Sequence, residues 1–153
     1  MNTEKSIKTL NKLLEINNDR IAGYQHAAKE AKENDLKDLF SKMESTSHKF
    51  KRELSSELTG LGEKPTDATA LSGKVYRAWM DVRAALATND RKAILKSCEF
   101  GEDVAVHAYE DELQNNSNDL STHQLELLKK QFAVIKREHD GIKNLRDLVI
   151  QNS

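Results

Sequence analysis

The stretch Cys98-Glu-Phe-Gly-Glu102-Asp-Val-Ala105-Val-His-Ala-Tyr109-Glu-Asp-Glu-Leu113 has the pattern of a helix, yet it puts a carboxylate where a core side chain belongs. Steps of three and four residues through it give Leu95, Cys98, Glu102, Ala105, Tyr109 and Leu113, a stripe in which every member but Glu102 suits burial. A carboxylate in such a stripe must meet a cation, a metal or hydrogen-bond donors; removing the partner of a buried charge costs about 3–5 kcal/mol. The reading of the chain therefore turns on what faces Glu102.

Working outward, the spacing predicts four long helices. The first runs from Thr3 to about Glu33 with the stripe Ile7, Leu10, Leu14, Asn17, Ile21, Tyr24 and Ala28. The second covers about 35–61 with Leu36, Phe40, Met43, Ser47, Phe50, Leu54 and Leu58, and Asn34 as its N-cap. His48 lies off this stripe and is expected to face solvent. Gly60 and Gly62 allow a left-handed C-terminal turn, and Pro65 enforces the stop. A third long helix is predicted over about 90–114. The fourth covers about 121–150, opened by the capping box Ser121-Thr-His-Gln124, with Leu125, Leu128, Phe132, Ile135, His139, Ile142 and Val149 as its stripe. Between the second and third, Val75, Trp79, Val82 and Leu86 mark a short amphipathic helix over about 73–87, with Trp79 as a packing anchor. A segment of this length can return the chain along a bundle about 40 Å long, at 1.5 Å per helical residue. The expectation is one all-α domain over 1–153, a four-helix bundle with one long crossover containing a short fifth helix.

Composition narrows the function classes. There are 24 Lys and Arg residues against 25 Asp and Glu, so no net field attracts nucleic acid. Cys98 is the sole cysteine, which excludes an internal disulfide framework and a cysteine-based zinc cluster; its stripe position reads as small core packing. The opening residues Met-Asn-Thr-Glu-Lys-Ser lead into an amphipathic pattern, and no apolar run approaches the ~20 residues that span a bilayer, so the protein is expected in the cytoplasm with no membrane partner.

Each long helix interrupts its stripe once near its centre: Asn17, Ser47, Glu102 and His139. There is also an internal repeat. An offset of 85 residues relates Asn17 to Glu102 and Tyr24 to Tyr109; an offset of 92 lays Phe40, Met43, Glu44 and Ser47 on Phe132, Ile135, Lys136 and His139. This arrangement resembles the ferritin-like bundle, especially its rubrerythrin-like members. There, two helices each give a Glu followed seven residues later by Tyr, and the other two each give Glu-x-x-His, caging two metal ions. The likeness spans nearly the whole chain in topology and part of the motif. Glu102 with Tyr109 matches, whereas Asn17, Ser47 and Lys136 replace two carboxylates and a histidine. Leu-Leu-Glu-Ile-Asn-Asn-Asp-Arg, Tyr76-Arg-Ala-Trp-Met-Asp and Cys98-Glu-Phe-Gly-Glu-Asp are further similar to an uncharacterised bacterial family of ferritin-like bundles, a domain of unknown function.

The resemblance implies two alternatives. In the first the layer is a degenerate di-metal site rewired as a metal-free polar network, with Lys136 among Glu44 and Glu102 as the internal cation. The protein is then non-catalytic, stress-associated or partner-binding, and binds a protein partner or pairs as a homodimer. In the second, Glu44, Glu102 and His139 hold one iron or manganese ion for oxidative chemistry, with Asn17 as a weak donor.

Overall fold

The computed structural model describes residues 2–69 and 73–151; residues 70–72 of the expected crossover lie outside the described residues. It is all-α, with no strand among the described residues. The helices are α1 (Thr3–Glu30), α2 (Asn34–Gly60), α3 (Gly73–Thr88), α4 (Arg91–Asn115) and α5 (Thr122–Gln151), with a 3-10 turn at Ser117–Asp119.

Local chemistry sets most of these boundaries. Asn2 caps α1 by accepting from the Lys5 amide at 3.1 Å, and Asp90 caps α4 by accepting from the Ala93 amide at 3.2 Å. The capping box of α5 forms in both directions: the Ser121 amide donates to Gln124 Oε1 at 3.0 Å, and the Gln124 amide donates to Ser121 Oγ at 3.1 Å. At the end of α2, Gly62 takes φ +80, the Gly62 amide reaches the Thr59 carbonyl and the Glu63 amide reaches the Leu58 carbonyl. That pair of bonds satisfies carbonyls the helix leaves over, and it needs a residue without a Cβ at Gly62. The start of α2 differs from expectation. Asn34 is its first helical residue, not its cap; Glu33 holds the cap position without a side-chain bond, and Asp35 Oδ1 accepts from the Leu36 amide instead.

The apolar side chains form two clusters. One gathers Leu10, Leu14, Leu54, Leu58, Leu128 and Ile135, the other Tyr24, Phe40, Met43, Leu95, Cys98 and Ile142, and Trp79 packs against both. Burying each such Leu or Ile contributes about 1.5–3 kcal/mol. Cys98 is a free, buried thiol, as its stripe position implies. Between the clusters the stripes turn polar, at Asn17 and Arg20 of α1, Ser47 of α2 and Glu102 of α4, all buried.

Contacts across the core orient the helices. Arg91, opening α4, pairs with Asp35 at the start of α2 at 2.8 Å, while His123 near the start of α5 lies 3.4 Å from Glu57 near the end of α2. Thr9 bonds Glu112 and Arg20 bonds Glu102, so α1 and α4 run in opposite directions. α1 is covered on a further side as well: Asn18 Nδ2 donates to the carbonyls of Thr66 at 3.1 Å and Ala68 at 3.0 Å, in the segment after α2. Asn18 is buried under this second cover, whereas Arg20, two residues on and nearly opposite it around the helix, is buried toward α4 and α5.

Candidate functional site: a guanidinium in the core

Arg20 is the cation that Glu102 requires. Its side chain is 1 % exposed and that of Glu102 is 0 % exposed. Nε donates to Glu102 Oε2 at 3.0 Å and Nη2 to Glu102 Oε1 at 2.7 Å, a two-pronged pairing in which both carboxylate oxygens are engaged. Nη2 also donates to Glu138 Oε1 of α5 at 2.8 Å. One guanidinium thus ties α1 to α4 and α5. Its carbon lies 5.7 Å from the centre of the Tyr24 ring, a cation–π contact that adds to the seat.

Two forces act on this charge. Burial pushes the Arg20 guanidinium down, but Glu102 close by, joined by Tyr24 and Glu138, outweighs it and carries the group above its usual range. Burial pushes Tyr24 and Cys98 up, reinforced in both by the charge of Glu102, so phenol and thiol stay protonated. For Glu138 burial is again the largest influence; it raises the carboxyl above its ordinary value despite the opposing pull of Arg20.

A second chain of bonds crosses the core one turn away. Asn17 Nδ2 donates to the Leu13 carbonyl and to the Tyr109 hydroxyl, both at 2.9 Å; the Tyr109 hydroxyl donates to Gln131 Oε1 at 2.7 Å; Gln131 Nε2 donates to Glu53 at 3.1 Å. All four long helices take part. Tyr109 is pushed up mainly by its burial.

The residues expected to form the site divide. Asn17, Ser47 and Glu102 are buried in the layer. The Ser47 hydroxyl is turned to its own helix, donating to the Met43 carbonyl at 2.8 Å. Glu44, Lys136 and His139 are not gathered with them. Glu44 lies beyond the buried Met43 and Ser47 and pairs with His48 at 3.3 Å. Lys136 is exposed, so the proposed internal cation is corrected to Arg20. His139 sits at the rim, its Nε2 2.5 Å from Asp103 and its Nδ1 3.1 Å from Asp140. The reason is the register of α5: Leu128, Gln131, Ile135 and Ile142 are its buried positions, and that turn points Glu138 inward and swings Lys136 and His139 away.

A metal pair of the kind the sequence resemblance implies does not fit these residues. Both oxygens of Glu102 are taken by Arg20, and among the described residues no group of three or more His, Cys, Asp or Glu side chains could hold a metal ion. Arg20, Gln131 and Glu138 were the residues missed. Each stands three or four positions from a stripe member, so the helical spacing admits them, but an apolar or aromatic neighbour, Ile21, Phe132 or His139, competes for the same place.

The family model for the domain of unknown function DUF2383 matches residues 5–115, and the chain belongs to that family. The match runs from α1 through α4, which supply Arg20 and Glu102. No curated protein matches the chain. No helix among the described residues is long and apolar enough to cross a membrane.

Proposed function

We propose that this chain is a ferritin-like four-helix bundle whose central layer is held by a guanidinium in place of metal ions, and that it acts as a non-catalytic, partner-binding protein through its outer faces. In this reading α1, α2, α4 and α5 make the bundle, and the segment from Leu61 to Asp90, carrying α3, is the long crossover. The pairing of Arg91 with Asp35 supports it, because the chain must travel the length of α2 before α4 begins beside the start of α2. The observation that carries the reading is the seat of Arg20: fully buried, bonded to both oxygens of Glu102 and to Glu138. A fixed cation in the core supplies permanently the charge that a metal supplies on binding, and it engages both oxygens of Glu102. Removing a metal requirement frees the bundle to fold without one.

The test is metal analysis of protein purified without chelator, joined to thermal melts with chelator and with excess manganese or ferrous iron. The expected result is substoichiometric metal and a melting temperature that neither addition moves. A resident ion at 100 times its dissociation constant would stabilise by about 2.7 kcal/mol. Stoichiometric iron or manganese, with a melting temperature that chelation lowers, overturns the reading.

A further inference from the structure

The face between α2 and α5 is the open side of the helix assembly, and its charges are unbalanced. The two helices meet at few points. A groove of about 500 Å³ runs between them beside Leu39, Met43, Val134 and Gly141, and a wider depression of about 630 Å³ continues it past Phe132 and Lys49. Lys42, Lys49, Lys130, Lys136 and Arg137 stand around these hollows, exposed, with no ion pair among the described residues. The two carboxylates that line the hollows, Glu138 and Asp140, are engaged elsewhere, as are several beyond them. Glu138 is turned inward to Arg20, Asp140 to His139, Glu44 to His48 and Glu57 to His123, while Glu53 accepts from Gln131. In a chain of formal net charge −1, five cations without partners on one concave, apolar-floored face form a local surplus.

We infer that this groove docks an acidic amphipathic helix of a partner protein. The inference rests on the partner-binding reading above and specifies its surface. Concavity between two helices suits a third helix laid along them, apolar side chains downward onto Val134, Leu39 and Met43 and carboxylates outward to the lysines on either wall. From Leu39 to Lys49 the groove side of α2 spans about 15 Å at 1.5 Å per residue, so about three turns of a docked helix lie within it. Opposed charge of this kind governs orientation and encounter rate, so docking weakens as salt rises.

The probe is a synthetic 18-residue helical peptide with leucine at every third or fourth position and glutamate on the flanks, titrated by fluorescence anisotropy against the full chain. Two variants separate the contributions. Lys49→Glu/Lys130→Glu/Arg137→Glu reverses the walls at exposed positions. Gly141→Leu fills the groove without touching charge, since a Cβ there meets nothing within 4 Å. The expected result is salt-sensitive binding that falls about tenfold or more in each variant, while neither variant melts below the parent and indifference to chelator is kept. Equal binding of parent and variants overturns the inference. So does equal binding of a peptide with its leucines scrambled, or of anionic phosphatidylglycerol vesicles, either of which reduces the face to plain surface charge. A parent that sediments as a dimer disrupted by charge reversal assigns the groove to a second copy and overturns it too. In each case the metal experiment still stands alone, so failure here is distinct from failure of the core reading.

Discussion

Arg20 and Glu102, 82 residues apart in the chain, face each other through two hydrogen bonds of 3.0 and 2.7 Å with essentially no solvent exposure on either side. Such a pair is not in itself a large source of stability, because desolvating both charges offsets most of their attraction. What it does impose is dependence: neither member is tolerable alone.

Arg20→Leu is therefore expected to destabilise by about 3–5 kcal/mol, because it strands Glu102 in the core. Arg20→Leu/Glu102→Leu should recover most of that loss, since the stranded charge is gone and Glu138, 14 % exposed, retains access to solvent. Arg20→Lys should behave nearly as badly as Arg20→Leu, for an ammonium cannot engage both Glu102 oxygens and reach Glu138. Urea denaturation of these four proteins, with Glu102→Leu added to complete the cycle, measures the coupling. A double variant no more stable than Arg20→Leu would show that the pair does not act as a unit.

The pH dependence has two components of the same sign, in different windows. Burial, resisted by Arg20, raises the Glu138 carboxyl. Between the ordinary carboxylate value and this raised one, the folded state holds a proton that the unfolded chain has released, so stability falls as pH rises across that window. Glu138→Gln should remove the fall. His139 titrates higher. Burial lowers its imidazole, but Asp140 and Asp103 outweigh that and raise it above the ordinary histidine value. Its contribution is complete below the ordinary value and is lost as pH rises through the raised one. Asp103→Asn should move the His139 resonance titration in NMR back down, and the stability loss through that window should shrink with it. An unmoved titration would disconnect His139 from Asp103.

How far the chain is legible in advance depends on whether one physical rule decides a position. Helix ends are legible where a specific group must be present: Gly62 with its positive φ, the reciprocal bonds of Ser121 and Gln124, and Pro65 beyond α2. The burial of Asn17, Ser47 and Glu102 follows from stripe spacing in the same way. The register of α5 does not. Leu128, Phe132, Ile135, His139 and Leu128, Gln131, Ile135, Glu138 both advance by three and four, and hydrophobicity favours the first. The second is the one that faces the core, because Arg20 and Tyr109 supply partners that make Glu138 and Gln131 cheap to bury. Arg20 was hidden for a related reason. Ile21 fits the stripe as well, and the partners that seat Arg20, Glu102 on α4 and Glu138 on α5, are long-range contacts that local periodicity does not contain.

Gly23 and Gly141 give the last prediction, a contrast between two helical glycines. Elsewhere being equal, replacing glycine by alanine inside a helix stabilises by about 0.5–1 kcal/mol, because alanine loses less backbone freedom on folding. At Gly141 nothing lies within 4 Å of an added Cβ, so Gly141→Ala should gain that amount. At Gly23 the added carbon would fall 2.5 Å from Cδ2 of Trp79 and closer still to its six-membered ring. The indole cannot swing aside freely. It packs against both apolar clusters and meets Tyr24 edge-on at 5.0 Å between ring centres. Gly23→Ala should therefore push α3 off α1 and destabilise by about 1–3 kcal/mol, the usual cost of overpacking. Trp79 is the sole tryptophan, so its fluorescence reports the event directly. A red-shifted emission is expected for Gly23→Ala, and an unchanged one for Gly141→Ala. Melts of the two variants beside the parent give the sign at each site. A stabilised Gly23→Ala protein with parental emission would mean that α3 does not press its tryptophan into α1.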